Sequence, residues 1–138
     1  MISYEDYAEY LSKISFIGNF YKKFWLHKIL SRNLKGKILD IGCGLGHFLE
    51  DNIEAVGVDV NPYTVEICLD KNLNVKLMKK DKLPFKENSF DSCLLDNVME
   101  HIENPDNLIL EIKRILKKSG VLLIGIPGQK GFLCDKDH

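Results

Sequence analysis

Three glycines alternate with other residues directly after an apolar run, in the stretch ILDIGCGLGHF from Ile38 to Phe48. They are Gly42, Gly44 and Gly46, and an acidic residue, Asp40, precedes them. Glycine loses more backbone freedom on folding than any other residue, so this cluster indicates a loop that a ligand approaches closely. A carboxylate beside such a loop attracts a cationic group of the ligand and repels a phosphate. The stretch therefore predicts a nucleotide-type ligand that carries an amine.

The spacing of these glycines departs from the dinucleotide fingerprint G-x-G-x-x-G. Counted from Gly42, the last glycine of that fingerprint falls on His47, and counted from Gly44 it falls on Leu49. The fingerprint also leaves Asp40 unexplained. An oxidoreductase that uses a nicotinamide or flavin dinucleotide is therefore the less favoured alternative.

A second acidic residue, Asp59, lies near the end of the next apolar run, AVGVDV. An acid at the end of the strand that follows a glycine-rich loop can accept hydrogen bonds from both hydroxyls of a ribose. Asp59 is either a ribose ligand or a turn residue at the end of the strand. Because Asp40 and the three glycines precede it, the role as a ribose ligand is favoured.

Strands and helices alternate along the chain around these residues. The apolar runs and turn signals predict strands over 37–41, 55–60, 74–78, 90–95 and 121–126, and helices over 45–51, 63–71 and 106–118. Asn61-Pro62 and Asn104-Pro105 have the residue types of helix starts. The strands are continuously apolar, which is typical of parallel strands covered on both faces. The pattern predicts an α/β fold: a Rossmann-like, doubly wound, mostly parallel sheet with helices on both faces, in three α/β/α layers.

The length of 138 residues predicts one domain. We divide it into an N-terminal helical cap over 1–34, a Rossmann-like core over 35–128 and a tail over 129–138. Phe16, Phe20 and Phe24 recur at helical spacing in the cap. The helix that they predict either packs on the domain or acts as a lid over bound substrate, and the two roles are compatible.

Composition narrows the classes of partner. The formal net charge of −1 gives no global basic field, which argues against nucleic acid and against an anionic membrane surface. The four cysteines include no C-x-x-C pair and no histidine pair has metal-ligand spacing, so we expect no metal site and a reducing, cytoplasmic location. The lysine-rich segment 76–86 is interpreted as a solvated surface, or as a place where an acidic substrate group docks.

The stretch LDIGCGLG resembles the first motif of the class I S-adenosylmethionine-dependent methyltransferases. The resemblance implies that the glycine loop, Gly42-Cys43-Gly44-x-Gly46, passes under the methionyl and ribose portions of the cofactor, and that Asp40 lies near the methionyl amine. VGVDVNP is similar to the second motif of the family. That similarity places ribose binding on Asp59 and adenine packing on Val60.

The longest match begins at LPFKENSFD and continues through Glu100-His101 to RILKKSG. It is similar to the methyltransferases called type 11, and it implies that Asp96 and Asn97 face the methionyl end and the incoming acceptor. Relatives often carry Gly-Asp-Ala before Leu-Pro-Phe, with the aspartate on the adenine amino group. Here the corresponding stretch is Lys79-Lys80-Asp81-Lys82, and Asp81 is its only acid. His101 is a candidate general base, or it holds its loop by hydrogen bonds.

The resemblance implies a methyltransferase that uses S-adenosylmethionine, releases S-adenosylhomocysteine and methylates a small-molecule acceptor. Family members usually continue past the fifth strand with another helix and an antiparallel strand pair, whereas this sequence ends at GFLCDKDH. A non-catalytic cofactor-binding module, or a domain that needs a homodimer or a partner chain, is the alternative that we keep open.

Overall fold

The computed structural model describes residues 3–13 and 27–126. Five helices, five strands and one 3₁₀ turn lie in these two ranges. The helices are α1 (Tyr4–Lys13), α2 (His27–Asn33), α3 (His47–Asp51), α4 (Pro62–Asp70) and α5 (Asp106–Ile115); the strands are β1 (Ile38–Ile41), β2 (Val56–Asp59), β3 (Val75–Leu77), β4 (Phe90–Asp96) and β5 (Leu116–Gly125); the 3₁₀ turn is Met99–His101. None of these helices is long and apolar enough to cross a membrane.

The strands form one sheet in the order β3-β2-β1-β4-β5, and every neighbouring pair is parallel. The strand order reverses between β1 and β4, because the chain first winds outward through β2 and β3 and then crosses back. Ligands of doubly wound sheets bind at this reversal, beyond the carboxyl ends of the strands. The predicted α/β fold is confirmed.

Successive residues of each strand point to opposite faces of the sheet, and each face has its own core. Leu39 and Ile41 of β1 pack in a cluster with α5, whereas the cluster on the opposite face contains residues of α2, α3 and α4. The sheet is therefore covered on both sides, as the continuously apolar strands predict. Asn61 caps α4 by accepting a hydrogen bond from the backbone N–H of Tyr63 at 3.0 Å, as its position before Pro62 predicts.

The described part of the N-terminal region contacts the sheet's ligand-binding edge. The side-chain amide of Asn61 donates a hydrogen bond to the backbone carbonyl of Tyr4 at 2.9 Å, which attaches α1 to the start of α4. In α2, His27 is buried and its Nδ1 lies 2.8 Å from the Asp51 carboxylate of α3. The aromatic residues Phe16, Phe20 and Phe24, like the tail over 129–138, lie outside the described residues.

The boundary between α5 and β5 differs from the expectation. The sequence predicts a helix to Lys118 and a strand from Val121, whereas the helix ends at Ile115 and the strand begins at Leu116. Ser89, directly before β4, bonds to the last residue of the helix: its backbone N–H donates to the Ile115 carbonyl at 2.7 Å. Leu116 then pairs with the first residue of β4, and a register shift follows before the regular pairing resumes.

Candidate functional site

The glycine loop turns sharply where β1 ends. Gly42, Gly44 and Gly46 have φ angles of 76°, 51° and 78°, in the left-handed region that side chains other than glycine's rarely adopt. The backbone N–H groups of Gly42 and Cys43 both donate to the Val58 carbonyl of β2, at 2.8 and 3.1 Å. The loop is therefore held by its own backbone against the neighbouring strand.

The three glycines serve two different purposes. A Cβ atom on Gly42 would lie 2.5 Å from a methyl group of Val98, and one on Gly46 would lie 2.5 Å from a methyl group of Leu73, so both positions are filled by the protein itself. At Gly44 the nearest described atom to such a Cβ is a methyl group of Leu11 in α1, 3.8 Å away. Gly44 is thus the point of the loop that a ligand can approach, and α1 lies beside it.

Asp59 ties the loop to β2. Its carboxylate accepts hydrogen bonds from the backbone N–H of Gly44 at 2.8 Å and from that of Asn61 at 2.9 Å, one on each oxygen. Each carboxylate oxygen has a second acceptor site. Asp59 is 9% exposed at the ligand-binding edge, so two acceptor positions are left for hydroxyl groups, which is the pattern that a ribose requires.

Asp40 is the most perturbed carboxyl group of the site. It is 5% exposed, and none of the groups in 3–13 and 27–126 donates a hydrogen bond to it. Burial, together with the negative charges of Asp96 and Asp59, raises the pKa of Asp40 to about 8. A buried carboxyl without a partner, at the carboxyl end of β1, is suited to pair with a cationic group of a ligand.

The side chain of Cys43 points under the loop. Its thiol lies beside Cys68 of α4, and the Cys68 thiol donates to the Gly44 carbonyl at 3.3 Å. The interaction with Cys68 and burial raise the pKa of the Cys43 thiol. The thiol packs against Gly57, where a Cβ would lie 2.8 Å from the sulfur. Any contact of Cys43 with a ligand would therefore come from its backbone.

The end of β4 forms the other wall of the site. Asp96 and Asn97 are half-buried, and the Asp96 carboxyl lies against Gly125 of β5, where a side chain would not fit. Asn97 has a φ of 54° and donates its backbone N–H to the Gly125 carbonyl at 3.0 Å. This turn brings Val98 onto Gly42, so the end of β4 and the glycine loop form one edge.

The 3₁₀ turn after β4 carries Glu100 and His101. His101 is exposed, and its backbone N–H bonds to the Val98 carbonyl at 3.1 Å. Glu100 is half-buried, and one of its carboxylate oxygens is fully buried without a hydrogen-bond partner in the part of the chain described. The sequence suggests His101 as the reactive residue, whereas the side chain with a buried oxygen is that of the adjacent Glu100. The spacing of residues in the sequence does not show which of the two faces inward.

The residues expected at the adenine end are more widely separated. Val60 follows β2 and is 37% exposed, so its side chain offers an apolar surface at the edge. Asp81 is exposed, and its carboxylate accepts a hydrogen bond from Asn107 of α5 at 3.1 Å. The structure thus brings Asp40, Asp59, Asp96 and the glycine loop together. Asp81 is instead hydrogen-bonded to α5.

Two side chains of α5, Arg114 and Glu111, hold the loop after β3 by hydrogen bonds that the sequence did not predict. The guanidinium of Arg114 donates to the carbonyls of Phe85 at 2.8 Å and Leu83 at 3.2 Å, and Glu111 accepts the backbone N–H of Leu83 at 3.0 Å. The Arg114 guanidinium also pairs with Glu111 and holds the pKa of that carboxyl near 2. The arginine of the RILKKSG stretch therefore fixes the shape of the Leu-Pro-Phe segment.

The sequence of this chain matches one known protein family. The methyltransferase type 11 family, described as a methyltransferase domain, matches residues 39–124, which contain all five strands except the first residue of β1 and the last residue of β5. The chain belongs to this family of class I S-adenosylmethionine-dependent methyltransferases.

Individual proteins are also similar to this chain. An uncharacterised protein of Methanocaldococcus jannaschii, MJ1123, is 38% identical over 99 residues, which are 72% of this chain and 48% of that protein. Probable tRNA methyltransferase 9B of Bos taurus is 30% identical over 88% of this chain and 27% of its own length. The crystal structure of an S-adenosylmethionine-dependent methyltransferase of Thermotoga maritima, a possible histamine N-methyltransferase, superposes with a TM-score of 0.77 at 27% identity, over 91% of this chain and 60% of that one.

The chain thus spans about half the length of the curated relative MJ1123, and less of the bovine protein. Within the shared part, the edge fits the family's cofactor on two observations. Asp40 is a buried carboxyl that lacks a partner among the described residues, which suits a cationic amine. Gly44 leaves the loop open to close approach. No cluster of three metal-ligating side chains lies in residues 3–13 and 27–126.

Proposed function

We propose that this chain binds S-adenosylmethionine at the edge formed by β1, β2 and β4 and transfers the methyl group to an acceptor. The observation that carries the proposal is Asp40: a buried carboxyl with a raised pKa, beside an open glycine loop. Burying a carboxyl without a partner costs free energy. A cationic amine of the cofactor offsets that cost by giving the carboxylate a charge to pair with.

Each residue of the edge then has a role. Asp40 holds the amine, and the two unused acceptor positions of Asp59 take the ribose hydroxyls. Gly44 lets the ligand lie close to the backbone, and Val60 packs against the adenine. Asp96 and Asn97 border the end of the site where an acceptor would enter.

The bound cofactor supplies a methyl group on a sulfonium, which is already activated for transfer. What the chain has to contribute is orientation of the acceptor and exclusion of water. His101 is exposed beside this edge and is a candidate to accept a proton from the acceptor. The half-buried Glu100 is a second candidate for contact with the acceptor, since one of its oxygens is buried and lacks a partner among the described residues.

Two classes of acceptor stay open at this point. The sequence indicates a small molecule, and the similarity to a possible histamine N-methyltransferase supports that class. The similarity to tRNA methyltransferase 9B supports a nucleic acid. A cytoplasmic location, and dependence on a homodimer or on a partner chain, are further parts of the proposal.

Calorimetric titration of the purified chain with S-adenosylhomocysteine tests the proposal, with NAD as the control ligand. We expect a single site for S-adenosylhomocysteine and no heat with NAD. Mass spectrometry of ligands carried through purification gives an independent readout. Absence of binding at millimolar S-adenosylhomocysteine would contradict the proposal, and binding without turnover on any acceptor would favour the non-catalytic module.

A further inference from the structure

Five lysines surround the loop after β3, and we call them the lysine face: Lys76, Lys79, Lys80, Lys82 and Lys86. All five are exposed, and none forms a salt bridge with another residue of the described chain. With the single acid Asp81, residues 76–86 carry a formal charge of +4, while the whole chain carries −1 and the remainder therefore −5. The net charge of the whole chain therefore does not reveal the positive charge that is concentrated in this segment.

Three acids lie in or beside the lysine face, namely Asp81, Glu111 and the exposed Glu87 that directly follows Lys86. Asp81 accepts its hydrogen bond from Asn107, and Glu111 is paired with Arg114. With Glu87 included, residues 76–87 still carry a formal charge of +3, and the five lysines are exposed to solvent. The ammonium of Lys76 lies 5.2 Å from the centre of the Phe85 ring, in a cation–π contact.

Protection of an edge strand explains only part of the lysine face. Lysines on an edge strand prevent unwanted pairing with other strands. The edge strand β3 ends at Leu77, so Lys76 alone lies on it. Lys79, Lys80, Lys82 and Lys86 lie on the following loop, where no strand edge has to be protected.

The lysine face borders the proposed cofactor site. The backbone N–H of Met78, directly before the loop, donates to the Asp59 carbonyl at 2.9 Å. On the other side of the sheet the charge is opposite: a cleft of about 410 Å³ between α1 and α4 is lined by Glu5, Glu9, Glu66 and Asp70, among others. A polyanion would be attracted along one layer of the domain and repelled from the other.

We propose that the lysine face binds the phosphate backbone of an RNA acceptor and places it beside the methyl-transfer edge. The inference rests on the proposed function and names the class of acceptor. A small molecule with one acidic group needs one or two cations, whereas five lysines without a salt bridge, spread over eleven residues, match a ligand with repeated charges. An anionic membrane is favoured by aromatic side chains that enter the interface, and the described segment 76–86 exposes none.

The test compares two variants with the same change of net charge. In the first, Lys80, Lys82 and Lys86 are replaced by glutamine; in the control, Lys28, Lys35 and Lys118 are replaced by glutamine, three exposed lysines outside the lysine face. Binding of a fluorescein-labelled single-stranded RNA of about 20 nucleotides is followed by anisotropy from about 50 to about 200 mM salt.

We expect the first variant to bind RNA at least tenfold more weakly and to lower the slope of log affinity against log salt by about two, while the control stays within about twofold of the wild type. Equal losses in both variants, or no binding of RNA by the wild type, would overturn the proposal. Binding to phosphatidylserine vesicles but not to RNA would overturn it in favour of a membrane surface. Titration of the same preparations with S-adenosylhomocysteine keeps the proposed function separate, because that binding should be unchanged in both variants.

Discussion

The two ends of the proposed cofactor site are built in different ways. At the methionyl end, the glycine loop is held by backbone hydrogen bonds to Val58 and by the Asp59 carboxylate, so local sequence determines its shape. At the adenine end, the loop after β3 is shaped by Arg114 and Glu111, which lie about 30 residues further along the chain. The first end is prepared for a ligand by its own residues, and the second depends on packing against α5.

Replacement of Asp59, at the methionyl end, by alanine has the largest expected effect on the affinity for S-adenosylhomocysteine. It removes the two acceptors proposed for the ribose and also frees Gly44 and Asn61 from the carboxylate. Two lost hydrogen bonds to a charged group correspond to about 3 kcal/mol or more, so we expect S-adenosylhomocysteine to bind at least about 100-fold more weakly. Calorimetric titration measures this loss.

The matched control for Asp59→Ala is Asp81→Ala. Asp81 contacts Asn107 and is exposed, so its loss should change the affinity by no more than about twofold. If Asp81→Ala weakens binding as much as Asp59→Ala does, the adenine end is as well prepared as the methionyl end and the comparison is wrong.

Asp40→Asn separates binding from stability. The raised pKa means that the folded protein retains a proton that the unfolded chain loses, so the free energy of unfolding falls as pH rises from about 4 to about 8. The amide has no such dependence. We therefore expect Asp40→Asn to melt at a higher temperature than the wild type at pH 8, and at a similar temperature near pH 4.

The same variant should bind S-adenosylhomocysteine about tenfold more weakly at pH 7, because the amide offers no charge to the amine. Differential scanning fluorimetry and calorimetry give the two readouts. A variant that is less stable at pH 8, or that binds as tightly as the wild type, would show that Asp40 has a structural role instead.

Arg114→Gln acts on the adenine end. It removes the hydrogen bonds to the carbonyls of Leu83 and Phe85 from a partly exposed guanidinium, and we expect it to lower the free energy of unfolding by about 1–2 kcal/mol. Urea denaturation measures this change, with Lys113→Gln on the exposed face of α5 as the control. Loss of affinity for S-adenosylhomocysteine should stay within about threefold. A larger loss would mean that the Leu-Pro-Phe segment contacts the cofactor directly.

The strands, their parallel arrangement and the cap at Asn61 follow from sequence, because apolar runs and helix-start residues are local signals. The end of α5 does not, since the hydrogen bond from Ser89 that stops the helix at Ile115 comes from another part of the chain. The same holds for the lysine face: its residues are visible in the sequence, but that they lie unpaired beside the edge requires the fold.

Within the site, the positions of Asp40, Asp59 and the glycines could be predicted from their spacing alone. The separate tasks of Gly42, Gly44 and Gly46 could not, because Val98, which follows β4, and Leu73, which follows α4, reach the loop from elsewhere in the chain. Likewise the thiol of Cys43 turns toward Cys68, a contact between residues 25 positions apart. Spacing identifies which residues meet the ligand edge, and tertiary packing decides which of their atoms remain free.

Calorimetry of S-adenosylhomocysteine binding in buffers of different ionisation enthalpy tests the central claim most directly. With a pKa of about 8, Asp40 is mostly protonated in the free protein at pH 7, and pairing with the cationic amine should release most of one proton. We predict a heat of binding that depends on the buffer in the wild type and does not depend on it in Asp40→Asn. Binding without proton release in the wild type would contradict the role of Asp40, and no binding at all would contradict the proposed cofactor site.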